Sequence, residues 1–142
     1  KYFVSKYYQP EIHLELSKKL LSFANTSIDI SDGLIADMIK LINKQKLSYK
    51  INIDKIPVSK KLDKLINFKT LKKKFCVFQG DDYQVLFNAS PSKFRIINKT
   101  AKSLGVKISK IGKICSSLLK SEICDQKGMK IGLKNQGYYH KF

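Results

Sequence analysis

Seven residues near the middle of the chain alternate strictly. Leu47, Tyr49, Ile51 and Ile53 are apolar, and Ser48, Lys50 and Asn52 stand between them. A period of two sends successive side chains to opposite faces, so the segment predicts a strand with one face on a core. The preceding sequence keeps a different period. Ile12, Leu16, Leu20 and Phe23 recur every three to four residues and predict a helix over 10–24. Thr26 to Ile30 predicts a short strand carrying Asp29. Leu34, Met38, Leu41 and Ile42 then share one face of a helix running to about Gln45, with Ser31 or Asp32 as its N-cap.

The second half is built from shorter pieces. Ile56-Pro57-Val58 turns the chain, and Ser59 caps a helix carrying Leu62, Leu65 and Ile66. A basic connector through Lys72-Lys73-Lys74 leads to Gln79-Gly80-Asp81-Asp82 and a strand over 83–87, with Tyr83, Val85 and Phe87 as its buried face. Ser90-Pro91 is a cap followed by proline at the first helical position, starting a helix that ends near Leu104-Gly105. A strand follows over 106–115, and 122–124 with 129–133 read as a hairpin around Asp125-Gln126-Lys127-Gly128. Helices and strands alternate early and a hairpin comes late. The fold class is therefore α+β, a mixed β-sheet flanked by helices. At 142 residues, 43% of them hydrophobic, the chain suits one domain with a core that needs no disulfides.

Cys76, Cys115 and Cys124 are odd in number and widely spaced, which fits neither a zinc site nor a disulfide framework. Reduced thiols in a cytoplasmic protein are expected. No apolar run reaches the ~20 residues that cross a bilayer. Net charge is +17, from 28 basic and 11 acidic residues. Such a balance raises a basic nucleic-acid-binding module as one reading. Arg95 is the only arginine, however, and bidentate work on bases and phosphates favours arginine over lysine. A solvated lysine-rich surface accounts for the charge better.

In so cationic a chain, the places where carboxylates gather carry information. Asp29, Asp32 and Asp37 fall within nine positions, and Asp81 and Asp82 are adjacent beside Gly80. Close carboxylates raise each other's pKa unless a cation sits between them. Magnesium suits the role, because it is commonly held by one or two carboxylates together with substrate phosphates. A strand end carrying Asp29 and a helix start carrying Asp32 also offer free backbone N–H groups for phosphate. The bland alternative makes Ser31 and Asp32 ordinary caps and Asp29 a solvated edge residue. Asp82 is open between a turn role and a site role. His13 and His140 are read as structural, having no nucleophile nearby in sequence.

Three segments carry a resemblance. Ile28-Asp29-Ile30-Ser31-Asp32-Gly33-Leu34, followed by Asp37, resembles the motif that opens the C-terminal half of the thiamine-monophosphate kinases. Gly80-Asp81-Asp82-Tyr83-Gln84-Val85-Leu86-Phe87 is similar to that family's Gly-Glu-Asp-Tyr-Glu-Leu-Leu-Phe. Gly137-Tyr138-Tyr139-His140-Lys141-Phe142 resembles its closing Gly-aromatic-Asp-His-Phe. The segments occur in order, with family-like spacing, from Pro10 to the tail. The family is part of a superfamily with aminoimidazole ribonucleotide synthetase and selenophosphate synthetase, and the resemblance implies the C-terminal domain fold of those enzymes.

The activity implied is ATP-dependent phosphorylation of thiamine monophosphate to thiamine diphosphate. By position, the resemblance implies that Asp29 and Asp32 hold magnesium, that Ser31 contacts ATP, and that Asp81 and Tyr138 contact the thiamine substrate. It also implies that residues 1–10 are a linker from a missing N-terminal domain, that 11–142 are the C-terminal domain, and that the intact enzyme is a homodimer. The chain would then hold half an active site and is not expected to turn over alone. Departures from the family pattern fall on the substrate side: Asp81 replaces Glu, Gln84 and Tyr139 replace acidic residues, and Lys141 is added. A sister ATP-dependent enzyme of the superfamily is the alternative within this class. No Walker-type glycine loop with its lysine is present, so a P-loop enzyme is excluded.

Overall fold

The alternating segment forms β2 (Leu47–Asn52), the central strand of a three-stranded mixed sheet. On one side β4 (Gly112–Ser116) runs antiparallel to it, and on the other β5 (Glu122–Cys124) runs parallel. The computed structural model describes residues 1–42, 45–68, 72–116 and 120–132. A second sheet pairs β1 (Thr26–Asp29) with β3 (Val85–Asn88), antiparallel, with Asp29 opposite Val85.

The strands thus divide between two sheets, both joined to one core through α3 (Leu34–Ile42). Leu34, Met38, Leu41 and Ile42 are buried as their spacing predicts, and Ile35 is buried completely. The helix shares one core cluster with Tyr49 and Ile51 of β2, Ile123 of β5 and Leu86 of β3. Ile51 is 1% exposed, and truncating such a side chain costs about 2–5 kcal/mol.

A smaller cluster holds α2 (Leu14–Leu20) against α6 (Phe94–Leu104) through Leu16, Leu20, Phe23, Ile97 and Leu104. Val85 and Phe87 join this second cluster while Leu86 faces the first. Both faces of β3 are therefore used, and Tyr83, expected on a buried face, is 40% exposed.

Other boundaries moved as well. The helix predicted over 10–24 is reduced to α2, and a separate helix α1 (Tyr2–Tyr8) lies before it without a buried residue. Ser59 caps α4 (Lys60–Asn67) by accepting the Leu62 N–H at 3.2 Å, as read from sequence. A four-residue helix α5 (Lys73–Cys76) interrupts the basic connector. The predicted strand over 106–115 is confined to β4. The hairpin is reduced to β5, a turn at Asp125–Gly128 and a single bridge between Cys124 and Lys130. Among the described residues, Cys115 and Cys124 are free thiols. No helix among them is long and apolar enough to cross a membrane.

Candidate functional site

The two acidic segments, some fifty positions apart in sequence, lie side by side in the fold. Beyond the β1–β3 pairing the ladder continues irregularly. The Ile30 N–H donates to the Gln84 carbonyl at 2.9 Å and the Tyr83 N–H to the Ile30 carbonyl at 2.9 Å. The Asp81 N–H donates to the Ser31 carbonyl at 3.0 Å. Two glycines permit this approach. A Cβ on Gly80 would stand 1.8 Å from the Ser31 carbonyl oxygen, and one on Gly33 would stand 2.7 Å from the Phe78 carbonyl oxygen. Gly33 also adopts φ +114°, a conformation that side-chain-bearing residues rarely take. Asp81 and Tyr83 have φ of 62° and 49°, so the second segment is held in an unusual backbone state where it meets the first.

Asp37 holds the first segment from below. It is fully buried in the first turn of α3. Its Oδ2 accepts the Ser31 N–H at 2.9 Å and the Asp32 N–H at 3.0 Å, and its Oδ1 accepts from Lys40 Nζ at 2.8 Å. Lys40 Nζ also donates to Asp32 Oδ2. A carboxylate inside the helix thus satisfies donors of the loop before it. A buried charge is tolerable only when it is paired and hydrogen-bonded, and Asp37 has all three partners. Sequence reading noticed Asp37 but gave it no role, and overlooked Lys40. The i,i+3 spacing of Asp37 and Lys40 on one helix was the available signal.

Asp29 ends β1 with an exposed side chain, and Ser31 and Asp32 are half-buried. Asp81, Asp82 and Tyr83 are exposed as residues. The Tyr83 hydroxyl lies 3.4 Å from Asp81 Oδ1, a long hydrogen bond in which the phenol donates. The charge of Asp81 is the main cause that raises the Tyr83 phenol above its usual pKa, with Tyr7 and Asp29 adding to it. The Asp82 carboxyl is pushed up too, first because it sits among protein atoms and then because Asp81 is beside it. The Lys40 ammonium is raised chiefly by its bond to Asp32 and then by that to Asp37, against some loss of solvation. His13 Nε2 lies 3.2 Å from Gln84 Oε1, so this histidine braces α2 against the second segment.

The fold therefore sets the segment carrying Asp29, Ser31 and Asp32 beside the one carrying Asp81, through backbone hydrogen bonds. Tyr138, with the whole 137–142 motif, lies outside the described residues. Among the described residues no three His, Cys, Asp or Glu side chains are grouped to hold a metal ion by themselves. Two carboxylates at the rim of a loop, one of them exposed, suit a hard cation shared with a phosphate better than a cage made of protein alone.

No family model matches the chain. It is similar to the thiamine-monophosphate kinase of Buchnera aphidicola subsp. Schizaphis graminum, 30% identical over 145 residues, covering 98% of this chain and 42% of that protein. The thiamine-monophosphate kinase of Aquifex aeolicus is 34% identical over 86 residues, 59% of this chain and 28% of its own length. Among solved structures, thiamine-monophosphate kinase from Stenotrophomonas maltophilia K279a superposes with a TM-score of 0.71 at 25% identity, covering 83% of this chain and 36% of that one. AaThiL complexed with AMPPCP and TMP also superposes with a TM-score of 0.71, at 23% identity over 96% of this chain and 40% of that one. The chain spans less than half the length of the curated relatives it matches.

Proposed function

We propose that this chain is the C-terminal half of a thiamine-monophosphate kinase, transferring the γ-phosphoryl group of ATP to thiamine monophosphate. The observation that carries the reading is the convergence of the 29–33 and 80–83 segments, the two described motifs through which the chain resembles these enzymes. Similarity to such kinases along 98% of the chain, and to a structure complexed with AMPPCP and TMP, supports it further.

In this reading Asp29 and Asp32 hold magnesium, which when bound neutralises charge on the reacting phosphates. The chain's own part is positioning. The backbone at Ser31 and Asp32 is fixed by Asp37, so the Ser31 side chain is presented to ATP and the Asp32 carboxylate to the phosphates from a rigid loop. The acceptor oxygen of thiamine monophosphate is already ionised near neutral pH, so no strong general base is required of the aspartates. Asp81 lies on the neighbouring segment, where a carboxylate can pair with the cationic thiazolium, and Tyr138 would offer an aromatic face to the same substrate.

Residues 1–10 then serve as the connection to an N-terminal domain, and 11–142 as the domain that completes the site with it in a homodimer. The direct test supplies the intact enzyme containing this chain with thiamine monophosphate, ATP and magnesium, and follows thiamine diphosphate by chromatography. Formation of that product is expected. Turnover of ATP with a different phosphate acceptor, and none with thiamine monophosphate, would favour a sister enzyme instead.

A further inference from the structure

We propose that Lys40 is a positioning residue for Asp32, an internal cation that holds this carboxylate in place and that a divalent cation must displace to bind there. The inference rests on the reading of Asp32 as a metal ligand. Lys40 Nζ donates at once to Asp32 Oδ2 and, at 2.8 Å, to Asp37 Oδ1. These two bonds are unequal in what they could give up. Asp37 is fully buried, so its charge depends on the ammonium and on the two loop N–H groups. The Asp32 side chain keeps 15% exposure and that of Lys40 49%. The ammonium can therefore release Asp32 and be rehydrated while it stays on Asp37. An ammonium and a hard divalent cation seek the same carboxylate lone pairs, so the two compete for Asp32. Lys40 thereby sets how much cation the site needs before it fills, and returns Asp32 to the same position when the cation leaves.

The test measures Mn2+ binding to the intact protein, from the spectrum of free Mn2+, for the native sequence, Lys40→Gln, Lys40→Arg and Asp32→Asn. Removing the competitor is expected to tighten Mn2+ binding about two- to fivefold in Lys40→Gln, the range of a half-exposed ion pair. Lys40→Arg should return affinity toward the native value, and Asp32→Asn should abolish binding at the site. A purely structural role for Lys40 would instead weaken binding when it is removed. If Lys40→Gln leaves affinity unchanged or weaker while Asp32→Asn abolishes it, the competition is refuted and the metal assignment survives. If Asp32→Asn binds Mn2+ as the native protein does, the metal assignment fails and the inference fails with it. Should Lys40→Gln not fold, the native protein still decides. The Lys40 ε-carbon and ammonium resonances should shift with added Mg2+, and signals unmoved at saturation overturn the proposal.

Discussion

Gly80 lies so close to Ser31 that a Cβ on it would stand 1.8 Å from the Ser31 carbonyl oxygen. The contact is backbone against backbone, so no side-chain rotation can relieve it. Gly80→Ala should therefore separate the two acidic segments and cost about 2 kcal/mol or more, placing it among the severe single substitutions. Denaturant titration reads this as a fall in midpoint at unchanged slope. A midpoint equal to the native one would mean that the two segments do not meet as described.

Asp37 makes a second prediction, about stability rather than chemistry. Asp37→Ala leaves two loop N–H groups and the Lys40 ammonium without their shared acceptor. A loss of about 3 kcal/mol is expected, typical of breaking a buried charged network. Asp37→Asn keeps one acceptor oxygen and should lose less. Equal losses for the two variants would contradict the hydrogen-bonding role.

Asp82 gives a pH signature. Its carboxyl is raised above the ordinary value of 3.8 by the loss of solvation that neighbouring protein atoms impose on this exposed residue and by Asp81, so folding favours the protonated form. Its contribution is then most favourable below the unfolded pKa and is lost as pH rises through the raised folded value. Asp82→Asn, which mimics the protonated form, should raise the melting temperature near neutral pH. The gain should shrink as pH falls through the folded pKa and vanish below 3.8. A gain that is constant with pH would assign the effect to something other than this charge.

These predictions lean on features that the sequence showed unevenly. The period-two run of β2 and the apolar face of α3 were legible because one buried face dictates each pattern. The Asp29–Gly33 and Gly80–Asp82 segments stood out because carboxylates are scarce in this chain. Their adjacency was not legible from spacing, since the β1–β3 pairing joins residues as far apart as Thr26 and Asn88 and sequence order does not reveal which strands meet. The division into two sheets was hidden for the same reason. Val85, Leu86 and Phe87 are all apolar, so the run could not show that β3 serves two clusters, with Leu86 on one and its neighbours on the other. Lys40 was hidden among so many lysines; its i,i+3 spacing from Asp37 was the one hint, and burial of Asp37 makes the pair matter.

Asp81 and Tyr138 make a joint kinetic prediction. If both touch thiamine monophosphate equally in ground and transition states, Asp81→Ala and Tyr138→Ala in the intact enzyme should raise KM for that substrate and leave KM for ATP nearly unchanged. Packing or turn roles would lower thermal stability and damage both substrates' constants together. Parallel losses in both variants would remove these two residues from the substrate site without touching the magnesium assignment.

The central claim is that Asp32 acts through a cation bound with phosphate, and its most direct test is turnover of Asp32→Asn in the intact enzyme at limiting magnesium. The amide keeps the size of the side chain and loses its charge, and the ion pair broken with Lys40 is partly exposed, so the fold should survive. The rate of thiamine diphosphate formation should fall by about a hundredfold or more, the scale seen when a group that stabilises transition-state charge is removed. A melting temperature close to native, with that loss of rate, is the predicted result. Near-native turnover by Asp32→Asn at limiting magnesium would contradict the account and leave Asp32 as a surface partner of Lys40.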